Sequence, residues 1–151
     1  MEVKIRPAVA GDIPAISKLL SELGEIMHNL TGGSRINIEN TLRKMFQIPE
    51  IYYTIIAERN GAYAGLCSAV FYKTLLHKGG TALINELVVK KEYRNEGIGR
   101  MLVENMIMEA RKRGMDEIEV GTEKSNIKAA GFYKKIGFDM EYILFGKEFG
   151  R

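Results

Sequence analysis

A chain of 151 residues with 46% hydrophobic and 27% charged side chains has the composition of a folded globular domain and leaves little room for extensive disorder. Its formal charge of +3 is spread along the sequence without a basic run, so nucleic-acid binding has no support, although a modest basic bias suits an anionic ligand. Cys67 is the only cysteine and His28 and His77 the only histidines, which excludes an internal disulfide and is too few for the usual zinc ligands.

The longest uncharged apolar stretch, 62–72, contains Gly65 and Ser68 and falls well short of the roughly 20 residues a membrane span needs. The opening MEVKIRPAVAGDI has no sustained apolar region of the secretory kind. A single domain over 1–151, cytoplasmic and without membrane contact, is the expectation. Cys67 is expected to be buried and inert.

In chain order, Val3 and Ile5 alternate with charged residues and predict a strand. Gly11-Asp12 then leads into Ile13, Ile16, Leu20 and Leu23, a helical stripe that Asp12 is placed to cap and Gly24 to close. The loop EIMHNLTGGSR precedes a second helix from Ile38, with Leu42, Met45 and Phe46 on one side and Pro49 ending it. Residues 52–58 are rich in β-branched and aromatic types, and Asn60-Gly61 signals a tight hairpin into 62–74. Gly79-Gly80 turns the chain into TALINELVV. A helix over 99–113, a strand over 115–122, a helix over 127–136 and a strand-rich end over 138–148 complete the order β-α-α-β-β-β-α-β-α-β. Early hairpins and a late crossover helix predict an α/β (α+β) fold: a mixed, mostly antiparallel sheet with helices on both faces.

The stretch EYRNEGIGR poses the functional question. The helix after it is well specified by Ile98, Met101, Leu102, Met106 and Ala110, with Arg111, Lys112 and Arg113 at its negative end. Its start is different, because Gly97 and Gly99 permit unusual dihedrals and close approach to amides that a first helical turn leaves unpaired. Such a start, beside Arg94, suits a phosphate group, and a plain tight turn is the alternative. It is not a Walker loop, which needs lysine and then Ser or Thr where Arg100 and Met101 stand. Nor is it a dinucleotide fingerprint: Leu102 occupies the third small position, and KKEYRNE separates Val89 from Gly97.

Arg94, Gly97 and Gly99 spell R-x-x-G-x-G downstream of ELVV, and Asn126, Ala129, Phe132, Tyr133, Gly137 and Phe138 spell N-x-x-A-x-x-F-Y-x-x-x-G-F. On these two motifs, in this order, the sequence resembles the GNAT superfamily of acetyl-CoA-dependent N-acetyltransferases. The resemblance implies that the pyrophosphate of coenzyme A rests on the amides of Arg94, Asn95, Glu96, Gly97, Ile98, Gly99 and Arg100. It implies that backbone groups of Leu87, Val88 and Val89 hold the pantetheine arm, with Asn126 and Ala129 nearby. It also implies that Glu86 takes a proton from the attacking amine and that Tyr133 hydrogen-bonds the departing thiolate. If the strand is regular, Asn85 faces away from Glu86. One departure is Asn95, at a position where the family often has glycine.

Each of these residues also has a plainer role. Asn126 is a good helix cap, Tyr133 one turn from Ala129 is a good core aromatic, and Glu86 can be a solvated carboxylate. Gly131 inside a helix hints at close packing or at cofactor approach. The acceptor is poorly specified, with Glu25, His28 and Tyr72 as candidate contacts from the two loops the family uses for it. The C-terminal YILFGKEF is apolar enough to pair with a second copy, as in relatives that dimerise, and would look the same as an internal strand. The expected partners are therefore acetyl-CoA, an amine and a second copy in a homodimer. A non-catalytic acyl-CoA-binding regulatory module is the main rival, separated by whether an amine panel releases free coenzyme A. A different nucleotide binder is the third reading, separated by affinity for NAD or ATP.

Overall fold

The structure, a computed structural model, describes residues 2–21 and 37–150. Strand β1 (Val3–Pro7) is followed by a single 3-10 turn (Ala10–Asp12) and helix α1, seen over 13–21; helix α2 spans Ile38–Phe46. Then come β2 (Tyr52–Arg59), β3 (Ala62–Tyr72), β4 (Thr81–Val89), a 3-10 turn (Lys91–Tyr93), α3 (Ile98–Lys112), β5 (Glu117–Val120) and α4 (Ile127–Lys135).

One sheet has the order β1-β2-β3-β4-β5, antiparallel in its first three pairings and parallel between β4 and β5. The β2–β3 hairpin turns on Asn60 and Gly61, both with positive φ (50° and 81°), the geometry that the Asn-Gly pair announces. The parallel pairing requires a crossover, and α3 supplies it. Leu102, Val103, Met106 and Ala110 of α3 pack on Ile55, Ala57, Cys67, Ala82 and Ile84 to form the larger core. On the other face Ile13, Ile16 and Leu19 of α1 and Leu42 of α2 pack on Ile56, Leu66 and Val88. Helices thus cover both faces, as expected. Among the described residues no helix is long and apolar enough to cross a membrane.

One expectation changes. The strand foreseen over 138–148 does not form: these residues carry no sheet ladder, although the segment passes close enough to β5 for Glu117 and Glu119 to act on the Tyr142 phenol. A strand needs a backbone partner, and β5 has only four residues. Ile143, Leu144, Phe145 and Phe149 are consequently between 83% and 91% exposed. Leu23, the last residue of the expected stripe, and the closure of α1 by Gly24 lie outside the described residues.

Asp12 does more than the helix cap expected of it. Its carboxylate accepts the Val9 amide (2.8 Å), both terminal nitrogens of Arg6 (2.8 and 2.9 Å) and the Tyr63 hydroxyl, while only 3% of the residue is exposed. Arg6 also reaches Glu58 (2.8 Å). This network ties α1 to β1, β2 and β3. The hydrogen bonds from Arg6, aided by those from Tyr63 and Val9, outweigh burial and hold the Asp12 carboxyl well below the usual carboxylate range. Its stabilisation is therefore present above the unfolded-state value near 4 and is lost as pH falls below it. Asp12→Ala should cost roughly 3 kcal/mol at pH 7, because Arg6 and Tyr63 lose their buried partner. In urea denaturation the difference from wild type should shrink between pH 4 and pH 2; a difference independent of pH would show that the carboxylate charge is not what stabilises the junction.

Candidate functional site

Strand β4 is irregular where the candidate residues begin. Ser68 of β3 pairs with Glu86 but Ala69 pairs with Ile84, so Asn85 is an extra residue on β4, a bulge. The expected contrast between Asn85 and Glu86 therefore does not hold in its simple form, since the alternation resets at this point. Leu66 and Val88, next along the same ladder, belong to the α1/α2 side, and Glu86 shares that side through a hydrogen bond from the Ser68 hydroxyl. Leu87 and Val89 pack on the α3 side.

The bulge coincides with the end of parallel pairing. The β4–β5 ladder runs from Thr81/Glu117 to Ile84/Val120 and stops, whereas β4 continues to Val89. Beyond Ile84, β4 has only β3 as a ladder partner among the described residues, so one edge of the strand keeps free backbone donors and acceptors in a wedge between β4 and β5.

At the end of β4 the chain makes its 3-10 turn and enters α3 through Arg94, Asn95, Glu96 and Gly97. Asn95 has φ 64° and Gly97, the residue that opens α3, has φ 83°. Two left-handed residues two apart turn the chain into α3, whose leading amides have no carbonyl to bind. The Asn95 conformation gives a physical reason for a preference for glycine there; asparagine is the residue that best tolerates it otherwise. A Cβ added to Gly97 would meet nothing within 4 Å, so the space over this turn is open. At Gly99 an added Cβ would lie 3.5 Å from Phe132 Cζ, an ordinary contact. That contact places α4 beside the start of α3. Arg94 Nε donates to the Val89 carbonyl (3.0 Å), fastening the loop to the end of β4. Arg100 lies on the helix surface, paired with Glu104 at 2.7 Å.

Helix α4 borders the wedge from the other side. Asn126 caps it by accepting the Ala129 amide (3.0 Å), the plainer role foreseen for it. Tyr133 is half-buried, edge-on to Phe132 and Phe138 with ring centroids 5.1 and 5.4 Å away. An added Cβ at Gly131 would meet nothing within 4 Å, so close packing is not what requires glycine there. Buried Cys67, paired with Leu87 across the ladder, lies within electrostatic reach of both Tyr133 and Glu86. Burial first, and the Glu86 charge second, push its thiol up to about 12, as befits an unreactive cysteine. Burial first, and Cys67 second, push the Tyr133 phenol up to about 12.

The structure thus brings together Glu86, Leu87, Val88, Val89, the loop 94–99 and Tyr133 around one wedge, with Asn126 and Ala129 at the near end of α4. It does not bring Tyr72 there. Tyr72 pairs with Thr81, roughly 17 Å along β4 from Glu86, and its hydroxyl donates to Glu119 (3.3 Å). Glu25 and His28 lie outside the described residues. A cavity of about 200 Å³ lined by Ile5, Tyr53, Asn105 and Met108 is elsewhere and contains none of these groups. Sequence reasoning missed Ser68, whose signal was a hydroxyl in an otherwise apolar buried run, and the bulge at Asn85, which has no local signal.

Comparison with known proteins gives a family model, Acetyltransferase (GNAT) family, matching residues 22–138. An uncharacterised N-acetyltransferase of Bacillus subtilis is 37% identical over 82 residues, covering 54% of this chain and only 53% of that protein. Another, of Chlorobaculum tepidum, is 30% identical over 134 residues, covering 89% of this chain and 74% of its own. Among solved structures, AAC(6')-Iy in complex with the bisubstrate analogue CoA-S-monomethyl-acetylneamine superposes with a TM-score of 0.79 at 15% identity, covering 98% and 99% of the two chains, a likeness of fold.

The loop conformation can be tested without any ligand. Asn95→Gly should leave stability unchanged or slightly raised, whereas Asn95→Val should cost about 1–2 kcal/mol, because a β-branched side chain resists positive φ. Equal denaturation midpoints for the two variants would contradict the left-handed geometry at this position.

Proposed function

This chain belongs to the acetyltransferase (GNAT) family, and we propose that it transfers the acetyl group of acetyl-CoA directly to a primary amine. The observation that carries the reading is the wedge itself: an unpaired strand edge that leads from an open, amide-rich helix start to a carboxylate and a phenol on opposite sides of β4. Open space at Gly97 and Gly131 fits a cofactor lying across the loop and past α4. The neighbour solved with a coenzyme A bisubstrate analogue supports the same choice of donor.

In this reading the amides of residues 94–100 hold the pyrophosphate, assisted by the partial positive charge of α3 and the full charge of Arg94. Backbone groups at Leu87, Val88 and Val89 hold the pantetheine arm in the manner of an added strand, and an amide among them is placed to polarise the acetyl oxygen. Asn126 spends its carbonyl oxygen on the α4 cap, so its NH2 is the part that reaches the arm, beside Ala129. Acetyl-CoA supplies an activated thioester whose leaving group is a thiolate.

Glu86 serves as the base. An alkyl ammonium has an ordinary pKa of about 10.4 and must lose a proton before it can attack. Ser68 fixes the Glu86 carboxylate by donating to it, and in this reading the amine approaches from that side. Tyr133 serves as the acid. With its phenol raised to about 12, it stays protonated through the whole physiological range and keeps its O–H for the departing sulfur. An alkaline fall in rate due to Tyr133 is thus expected only near pH 12.

The test is an amine panel assayed for release of free coenzyme A, run on wild type and Tyr133→Phe. Wild type should turn over at least one amine class, and the variant should lose about 10- to 100-fold in kcat with little change in acetyl-CoA affinity. Equal rates with chemistry limiting would return Tyr133 to a packing role. A wild type that binds acetyl-CoA tightly but acetylates nothing would favour the non-catalytic binding module.

The exposed C-terminal segment favours a homodimer within the same reading. Ile143, Leu144, Phe145 and Phe149 alone leave several hundred Å² of apolar surface uncovered, more than monomers usually expose. Sedimentation should show a dimer that Leu144→Lys/Phe145→Lys dissociates; a wild type that stays monomeric at assay concentrations would contradict this assignment.

A further inference from the structure

Arg59 ends β2, far in sequence from the cofactor loop, yet its side chain is directed at that loop. Its Nε lies 2.7 Å from Glu96 Oε2, and its guanidinium carbon sits 5.2 Å from the centroid of the Tyr93 ring. Both partners are about three-quarters covered, with side-chain exposures of 23% and 27%. Arg59 Nε is a buried nitrogen whose N–H makes no aligned hydrogen bond among the described residues, so the contact with Glu96 is one of charge rather than of directed bonding.

The chemistry of the loop makes this placement consequential. Glu96 lies between two left-handed residues, Asn95 and Gly97, in the same turn whose amides face an incoming anion. Its carboxylate is the one acidic side chain of the stretch 93–100, and left free it would oppose a phosphate within a few ångströms. Arg59 draws that carboxylate toward β2 and neutralises it, while the cation–π contact braces Tyr93 and with it the turn preceding Arg94.

We propose that Arg59 is a positioning residue for the phosphate loop: it holds the Glu96 carboxylate off the amide cradle, and thereby makes the site selective for acyl donors that carry a pyrophosphate over phosphate-free acyl thioesters. This rests on the reading of residues 94–100 as the pyrophosphate site. The sequence gives no hint of it, since arginine at the end of a hairpin strand is an ordinary surface choice.

Calorimetry with two donors, acetyl-CoA and the phosphate-free S-acetylpantetheine, separates the possibilities. Arg59→Met keeps the aliphatic stem over Tyr93 and removes the charge. It should weaken acetyl-CoA binding roughly tenfold, the effect of one uncompensated charge near a phosphate at a partly screened surface, and leave S-acetylpantetheine unchanged. Arg59→Met/Glu96→Gln should recover acetyl-CoA affinity to within about threefold of wild type. Glu96→Gln alone, which does not threaten the fold, should bind acetyl-CoA at least as well as wild type. Equal weakening of both donors, no recovery in the double variant, or a tenfold loss in Glu96→Gln would each overturn the proposal. A wild type that binds S-acetylpantetheine as tightly as acetyl-CoA would overturn the selectivity and the pyrophosphate site together; binding of neither would overturn the acetyl-CoA reading itself.

Discussion

Between Ile84 and Val89 the fourth strand has a ladder neighbour on one side only, and the candidate site is organised around that unpaired edge. An extra residue at Asn85 bends β4 while the short β5 ends at Val120, so the two strands part where a regular parallel sheet would continue. Free backbone groups at a strand edge are ordinarily a liability, open to unwanted pairing. Here Leu87, Val88 and Val89 are buried or half-buried and Asn85 and Glu86, at the bulge, are exposed, and in the proposed reading an extended ligand arm of matching hydrogen-bonding character completes the edge. Beyond the bulge Glu86 shares the α1/α2 side with Ser68 and Leu87 packs on the α3 side, so the base and the acid of the proposed reaction stand on opposite sides.

Around that edge, charge is arranged by geometry more than by number. The loop before α3 carries one arginine and one glutamate, and the structure uses each for something besides an incoming anion: Arg94 ties the loop to the Val89 carbonyl, and Glu96 pairs with Arg59. The left-handed residues Asn95 and Gly97 then leave the leading amides of α3 as the groups that the proposed reading gives to the pyrophosphate. Buried Cys67 lies within electrostatic reach of both Glu86 and Tyr133, its thiol held neutral by burial first and by the Glu86 charge second. The Tyr133 phenol is held neutral in turn, by burial first and by Cys67 second.

What could be read from the sequence was local. Asn60-Gly61, the apolar stripe of α3 and Gly97 at its start each encode a conformation within a few residues and form as read, whereas Gly99 lies inside α3 without the unusual dihedrals allowed for it. Tyr133 and the loop were singled out by the resemblance of two motifs to a family, not by any local conformational signal. Asp12 was legible as a helix-entry residue, but its bidentate pairing with Arg6 and its bond from Tyr63 depend on strands that meet only in the folded sheet. The bulge at Asn85 is likewise set by register against β3. The C-terminal segment shows the reverse limit: its β-rich composition predicts a strand, but composition cannot supply the partner that a ladder requires.

The most direct test of the central claim is a titration of isotopically labelled protein with acetyl-CoA, followed amide by amide in heteronuclear spectra. The wedge-and-loop account predicts that the largest shifts and the strongest protection from hydrogen exchange fall on the amides of residues 94–100 and 87–89, with smaller changes near Asn126. Binding that moves other amides and leaves those of 94–100 untouched would contradict it.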